Sequence, residues 1–179
     1  MRLVTDRLLL RPFEEGDFEA AYAYRSNEQT ARYWIGAPET AEEVRAFLKR
    51  CREYALQEPQ TRYRFAIVLQ AEGRVIGGCG LDITHLEWRE GEIGYHLHPA
   101  YWGQGYATEA ARALVGFGFE HLKLHRIVAD CLAENPASAR VMQKAGMQQE
   151  AHFRQNQWMA GRWQDTLAYA ILASEWQRA

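Results

Sequence analysis

A glycine-rich turn that leads from a strand into a helix N-terminus is an anion-binding device. The first backbone amides of a helix have no intrahelical partner, and the helix dipole adds about half a positive charge at that end. The segment Trp102-Gly103-Gln104-Gly105-Tyr106-Ala107-Thr108 has this form. Small residues at 103, 105 and 107 would let a diphosphate sit against the main chain, with the amides of Gln104 to Thr108 as donors. No lysine stands where a Walker loop needs one, which argues against a nucleotide hydrolase. Two other readings compete. An ordinary tight turn needs no ligand. A Rossmann-type dinucleotide site would use Asp130, about 20 residues on at a strand end. Against that reading, Thr108 replaces the third glycine, and the preceding strand is not the continuous apolar run of a doubly buried one. His96 and His98 share a strand face, yet no third ligand stands near them, so a metal site is not expected.

The elements that must position this turn can be read from period and punctuation. Arg7–Arg11 is a short apolar run stopped by Pro12, a strand. Asp17 can cap a helix to about Arg25. Tyr33-Trp34-Ile35-Gly36 is a loop with exposed aromatics. Thr40-Ala41-Glu42-Glu43 is a capping box, opening a helix that carries Val44, Phe47, Leu48, Cys51 and Leu56. The period then becomes two. Tyr63–Leu69 is a strand, and Val75–Leu81 is a second whose three glycines invite close approach to its backbone. A bend at Trp88–Gly91 returns the strand Glu92–His98 to Pro99. A helix from about Tyr106 to Leu122 buries Ala107, Ala111, Leu114, Val115 and Phe119. Arg126–Leu132 is a strand parallel to the earlier one. Asn135-Pro136 opens a last helix that Gly146 ends. Two strands, about Gln149–Gln157 and Trp163–Ile171, complete a mixed α+β domain.

Once the order is set, one stretch is specific. Glu92-Ile-Gly-Tyr-x-Leu-His-Pro-Ala-Tyr-Trp-Gly-Gln-Gly-Tyr-Ala-Thr-Glu-Ala resembles the cofactor motif of the GCN5-related N-acetyltransferases, above all the branch with the ribosomal-protein-alanine N-acetyltransferases. Thr5-Asp-Arg-Leu-x-Leu-Arg, Ile76-Gly77, Asn135-x-Ala-Ser138-x-x-Val-Met-x-Lys-x-Gly146-Met and Gly161-x-Trp-x-Asp165-x-x-x-Tyr169 fit the same branch in order. Trp102 departs from the general signature, which has Gln or Arg there, and reads as a branch marker. The resemblance implies one domain over residues 1–179, a mostly antiparallel seven-stranded sheet split into a V with about four helices, and acetyl-CoA wedged in the split. It also implies that Leu97, His98, Trp102 to Thr108, Asn135 and Ser138 hold the cofactor.

Acetyl transfer to an amine needs proximity, a polarised carbonyl, a deprotonated amine and a stabilised thiolate. A bulge before Pro99 would free an amide, Leu97 being the best candidate, to polarise the carbonyl. The pantetheine arm can pair with that strand as an extra edge. Ser138, in the first turn of the Asn135 helix, can hydrogen-bond the leaving sulfur, or serve the backbone only; Asn135 is a helix cap, a pantetheine ligand or both. Glu92 and Glu150 are the candidate bases, each through a water, although Glu92 could simply pair with Arg89. His96 is a weaker base candidate, and Glu109 is structural. An α-amine near pKa 8 is neutral in about one molecule in ten at pH 7, a lysine amine in about one in 2,500, so an α-amine needs a base less. Glu87, Glu90 and Glu92 could attract a cationic acceptor, and Trp34, Trp88 and Trp158 could line its groove.

The whole chain agrees with this class. It has 179 residues, 47% of them apolar, and a formal net charge of -2 without a basic stripe, so nucleic acid is not an expected partner. No apolar run approaches the ~20 residues that cross a bilayer, so no membrane is expected and a cytoplasmic protein is. Cys51, Cys79 and Cys131 are scattered and odd in number, the pattern of free buried thiols. No repeat, low-complexity segment or linker interrupts the chain. The expected partner is a small-molecule amine or a protein N-terminus, and a homodimer is compatible. The alternatives are a non-catalytic acyl-CoA sensor and a nicotinamide-dependent oxidoreductase.

Overall fold

The computed structural model describes residues 1–34 and 37–176. Of the loop expected at 33–36, Ile35 and Gly36 lie outside the described residues. The strands are β1 (Leu3–Val4), β2 (Leu8–Pro12), β3 (Arg62–Leu69), β4 (Arg74–His85), β5 (Glu90–Leu97), β6 (Arg126–Leu132), β7 (Gln148–Met159) and β8 (Arg162–Leu172). The helices are α1 (Phe18–Arg25), α2 (Glu28–Ala31), α3 (Ala41–Tyr54), α4 (Tyr106–Glu120) and α5 (Pro136–Lys144).

All strands join one sheet in the order β1-β2-β3-β4-β5-β6-β8-β7, antiparallel except for β5 with β6. The sheet thus has eight strands, not seven. The addition is β1, two residues paired with Leu9 and Leu10 and too short for a period to register. α2 escaped the sequence reading for the same reason. It is one turn, capped by Asn27 Oδ1 accepting from Gln29 N at 2.9 Å. With one parallel pair, the sheet is not doubly wound, and the dinucleotide reading of the glycine turn loses its scaffold.

Local chemistry explains most boundaries. Thr40 and Glu43 form the expected reciprocal cap, Glu43 accepting from Thr40 N at 2.7 Å. Asp17 does not cap α1. Its buried carboxylate takes the Arg11 fork at 2.7 and 2.8 Å and closes a turn on Glu14 N instead. Pro12 ends β2 from inside, paired with Phe65. Leu56 lies past the end of α3 and is 83% exposed, so it is no part of that helix's buried face.

The sheet buries both faces. On one, Leu114, Val115 and Phe117 of α4 and Met142 of α5 pack on Leu81, Ile93, Leu97, Ile127 and Ile171. Burying each such side chain stabilises by roughly 1.5–3 kcal/mol. On the other, α1 and α3 pack Ala21, Tyr24, Val44, Leu48 and Cys51 around Phe13 and Ala66. β5 serves both faces by alternation. Gly91, Ile93 and Leu97 are buried, while Glu92 and Gly94 face the α1 and α3 side and are open.

Candidate active site

The glycine turn is built as the residue types demand. β5 ends at Leu97, and His98 Nδ1 accepts from Ala100 N at 3.3 Å to cap a one-turn 3-10 helix at Pro99–Tyr101. Trp102 Nε1 then donates to Leu97 O at 2.9 Å, so the aromatic at 102 ties the loop to the strand end. Gly103 and Gly105 have φ of +74° and +83°, the left-handed region where a side chain is strained. No side chain caps α4, and among the described residues the amides of Gly103 to Thr108 donate to no protein acceptor.

The N-terminal segment holds this loop from behind. Glu109 accepts from Thr5 Oγ1 at 2.6 Å, Arg7 N at 2.8 Å and Arg7 Nε at 2.7 Å, while Arg7 Nη1 donates to Gln104 O at 3.0 Å. Burial pushes the Glu109 carboxyl up, but these hydrogen bonds and the Arg7 charge outweigh it and hold the group below its ordinary value. Glu109 is therefore an anchor, as its position suggested.

Beside the loop the sheet opens. β5 and β6 pair at Glu90–Arg126, Gly91–Ile127 and Glu92–Val128, and part beyond that. His98 N donates to Ile76 O at 2.9 Å, so by antiparallel alternation the amides of Tyr95 and Leu97 face away from β4, towards the gap. The bulge expected before Pro99 does not exist. The β4–β5 register is regular there and slips only between Ile83 and His85, at the hairpin end. What frees the Leu97 amide is the loss of β6 as a neighbour.

Two cavities of about 290 and 270 Å³ meet in the gap and share Trp34, Glu92, Ile93, Gly94 and His96. The first lies over β4 and β5 beneath α1 and α3; the second runs between β5 and β6 to Asn135 and Ser138. Their common floor is bare, for a Cβ on Gly94 would meet no atom of the described residues within 4 Å.

In the second cavity Asn135 Oδ1 accepts from Ser138 N at 3.1 Å, so Asn135 does cap α5. Ser138 Oγ lies 2.9 Å from the Tyr95 hydroxyl. Burial drives the Tyr95 hydroxyl well above its ordinary pKa, which keeps it a neutral donor. Burial likewise pushes the thiol of Cys131 up to about 11, so it is no thiolate at neutral pH. The sequence reading missed Tyr95. Its partner is 43 residues away, and only alternation along β5, which turns Tyr95 away from Gly94, could have pointed to it.

The two candidate bases separate. Glu92 lines both cavities, and its carboxylate makes no hydrogen bond or ion pair among the described residues, with Arg89 or any other group. Burial first, then the charges of Asp130 and Asp82, raise its carboxyl above the ordinary value. Glu150 lines neither cavity. It is exposed and gripped by Arg126, whose Nη1 lies 2.8 Å from Oε1, and these bonds lower its pKa, the wrong direction for a base. Arg126 also holds Glu90 at 2.9 Å. His96 stacks on Trp34 with ring centroids 4.0 Å apart. Burial, then Arg25 and Arg64, depress its pKa to about 3, so it is a neutral wall. Trp88 and Trp158 are 66% and 59% exposed and line neither cavity; only Trp34 of the three does.

Comparison with known proteins bears on this geometry. The family described as acetyltransferase (GNAT) domain matches residues 7–148. The uncharacterized N-acetyltransferase YnaD of Bacillus subtilis is 35% identical over 176 residues, 98% of this chain and 99% of that one. The putative ribosomal N-acetyltransferase YdaF of the same organism is 25% identical over 97% of this chain and 96% of its own. The crystal structure of a GNAT-family acetyltransferase from Bacillus anthracis superposes with a TM-score of 0.86 at 34% identity, covering 98% of this chain and 100% of that one.

Proposed function

This chain belongs to the GNAT acetyltransferase family and is an acetyl-CoA-dependent N-acyltransferase; on that premise we propose that its acceptor is a primary α-amine, on a protein N-terminus or a small molecule, and that transfer is direct, without an acyl-enzyme. The observation that carries this reading is the parting of β5 from β6 after Glu92. It brings free strand edges, the loop amides and the Ser138–Tyr95 pair around one opening with Gly94 as its bare floor.

The residues suit acetyl-CoA. Amides of Gln104 to Thr108 at the start of α4 are fitted to a diphosphate, and the β5 edge at Tyr95 and Leu97 is fitted to an amide-bearing arm. When bound, acetyl-CoA supplies the acetyl group as an activated thioester. The gap-facing amide of Leu97 hydrogen-bonds the carbonyl oxygen, where charge grows during attack. Ser138, held by Tyr95, donates to the departing sulfur, whose conjugate acid has a pKa near ~8.5. Glu92 takes the amine proton through a water, its raised pKa bringing it closer to the working pH. Trp34 and the neutral His96 ring wall the acceptor and hold the amine against the thioester, an orientation effect that can lower the barrier by about 7–11 kcal/mol. No cysteine offers an alternative nucleophile: burial raises the thiols of Cys131 and Cys51 to about 11 and that of Cys79 higher still. The α-amine is preferred because its ammonium gives up a proton far more readily than that of a lysine, and YdaF, a relative named as a putative ribosomal N-acetyltransferase, is consistent with a ribosomal acceptor.

The test is an acceptor screen over peptides with free N-termini, amino acids, polyamines and aminoglycosides, read by mass for one added acetyl group and by free thiol. Acetylated α-amines with matching thiol release are expected. Binding of acetyl-CoA, seen as a raised melting temperature, with no amine acetylated would overturn the reading in favour of an acyl-CoA sensor.

A further inference from the structure

We infer that Asp130 is a positioning residue for the acceptor: with Glu92 it brackets the amine over Gly94, and the site thereby selects acceptors that arrive as cationic ammonium groups. The inference rests on the acceptor reading just given and deepens it.

Register sets the placement. The last β5–β6 pair is Glu92 with Val128, and two residues further along each strand stand Gly94 and Asp130. Ile127, Ala129 and Cys131 of β6 are buried against the α4 side, so Val128 and Asp130 face the other way, with Glu92 and Gly94. Asp130 thus stands across the widening gap from the bare floor at Gly94. Asp130 and Glu92 line the same cavity.

Charge says what the bracket holds. The groups that act on Glu92 or share a cavity with it are Asp82 from β4, Arg64 from β3, Tyr24 and Arg25 from α1, Tyr33 after α2, Glu90 and His96 from β5, and Asp130 and Cys131 from β6. The cations among them are committed. Arg64 forks onto Asp82, with Nη2 to Oδ2 at 2.7 Å, and Arg25 onto Glu39 at 2.6 and 2.7 Å. Arg126, at the start of β6, holds Glu90 and Glu150. Glu92 and Asp130 have no side-chain partner among the described residues, and burial raises both carboxyls, with Asp130 adding to the effect on Glu92. A second observation agrees. Thr30, a residue 5% exposed whose hydroxyl has no hydrogen-bond partner among the described residues, lines the same cavity as Asp130. An occupant with several N–H donors and one positive charge answers all three groups. An ammonium does so; a neutral arylamine does not.

The two carboxylates then divide the work. Glu92 receives the proton, while Asp130 stays charged, holds the incoming ammonium and raises the proton affinity of Glu92. The experiment measures kcat and KM against pH for wild type, Asp130→Asn and Asp130→Glu, using the best α-amine acceptor. Loss of one charge-assisted contact raises the acceptor KM of Asp130→Asn about 10- to 100-fold. The kcat and the acetyl-CoA KM stay near wild type. The acid limb of kcat/KM moves down by roughly one pH unit, because Glu92 no longer feels a neighbouring negative charge. Asp130→Glu, which keeps the charge, recovers most of the KM. An acceptor KM and an acid limb that do not move in Asp130→Asn overturn the inference while leaving the acceptor site intact. Wild type that acetylates no amine overturns the acceptor reading itself. Should Asp130→Asn lose its acetyl-CoA-dependent rise in melting temperature, Asp130→Glu decides alone: an acceptor KM and an acid limb at wild-type values support a role of charge, and a large loss in either sinks it.

Discussion

Replacing Gly94 by alanine pushes stability and activity in opposite directions. Gly94 sits mid-strand opposite Gly80, its φ lies outside the left-handed region, and a Cβ there would meet nothing among the described residues within 4 Å. The new methyl group therefore costs no protein contact. A mid-strand glycine destabilises by roughly 0.5–1 kcal/mol relative to alanine, and in a chain of this size each kcal/mol moves the melting point by about 2–4 °C. Gly94→Ala should melt about 1–4 °C above wild type. The same methyl fills the floor on which acceptor and thioester meet, and displacing reacting groups by ~1 Å costs about 10²-fold. Thiol release should fall by that order in kcat/KM, and Gly94→Val should fall further with its fold intact. Thermal unfolding without ligand and a thiol assay with a fixed acceptor measure the two effects. Unchanged kcat/KM would remove Gly94 from the reaction floor. A lowered melting point would mean that the space is not open.

Other expectations follow from single contacts. Ser138→Ala should lower kcat about 10²-fold with little change in the acetyl-CoA KM, the signature of a group that acts as the sulfur departs; a kcat within about threefold of wild type would assign Ser138 to backbone capping alone. Glu109→Gln should destabilise the fold by about 1–2 kcal/mol at neutral pH. Because the folded carboxyl is held below its ordinary value, that difference is complete above the unfolded pKa of about 4.3 and fades as pH falls through the folded value. Urea midpoints at a series of pH values test it, and a gap that does not narrow as pH falls below the unfolded pKa contradicts the linkage.

The order of long elements was legible because each carries its own period and stop signals. The Thr40 box opens α3, Asn135-Pro136 opens α5 and the Trp102–Thr108 glycines open α4 at the expected places. What failed was short or non-local. β1 has two residues and α2 four, below the length at which a period shows. Asp17 looked like a cap because a cap is a local explanation for an acidic residue directly before a helix, whereas its partner Arg11 comes from strand β2. The expected bulge at Leu97 had the right effect from the wrong cause. A strand can lose a neighbour without changing its own path, and the divergence of β6 leaves no mark in the β5 sequence.

Electrostatics divided the candidate bases in a way no sequence pattern could. Glu92 and Glu150 are equivalent on paper, each opening or nearly opening a strand. The formal charge of -2 over the whole chain says nothing about where an unpaired carboxylate lies. The ion pairs decide it. Arg126 reaches both Glu90 and Glu150, Arg64 takes Asp82 and Arg25 takes Glu39, and once these pairings are made the negative charge left in the cleft sits on Glu92 and Asp130. An exposed pair such as Arg126–Glu150 contributes little stability, with a median near ~0–1 kcal/mol. The pairings have a further consequence: by committing the nearby guanidinium groups, they leave the Glu92 and Asp130 carboxylates without a side-chain partner among the described residues, the charge that the inferred ammonium acceptor would match.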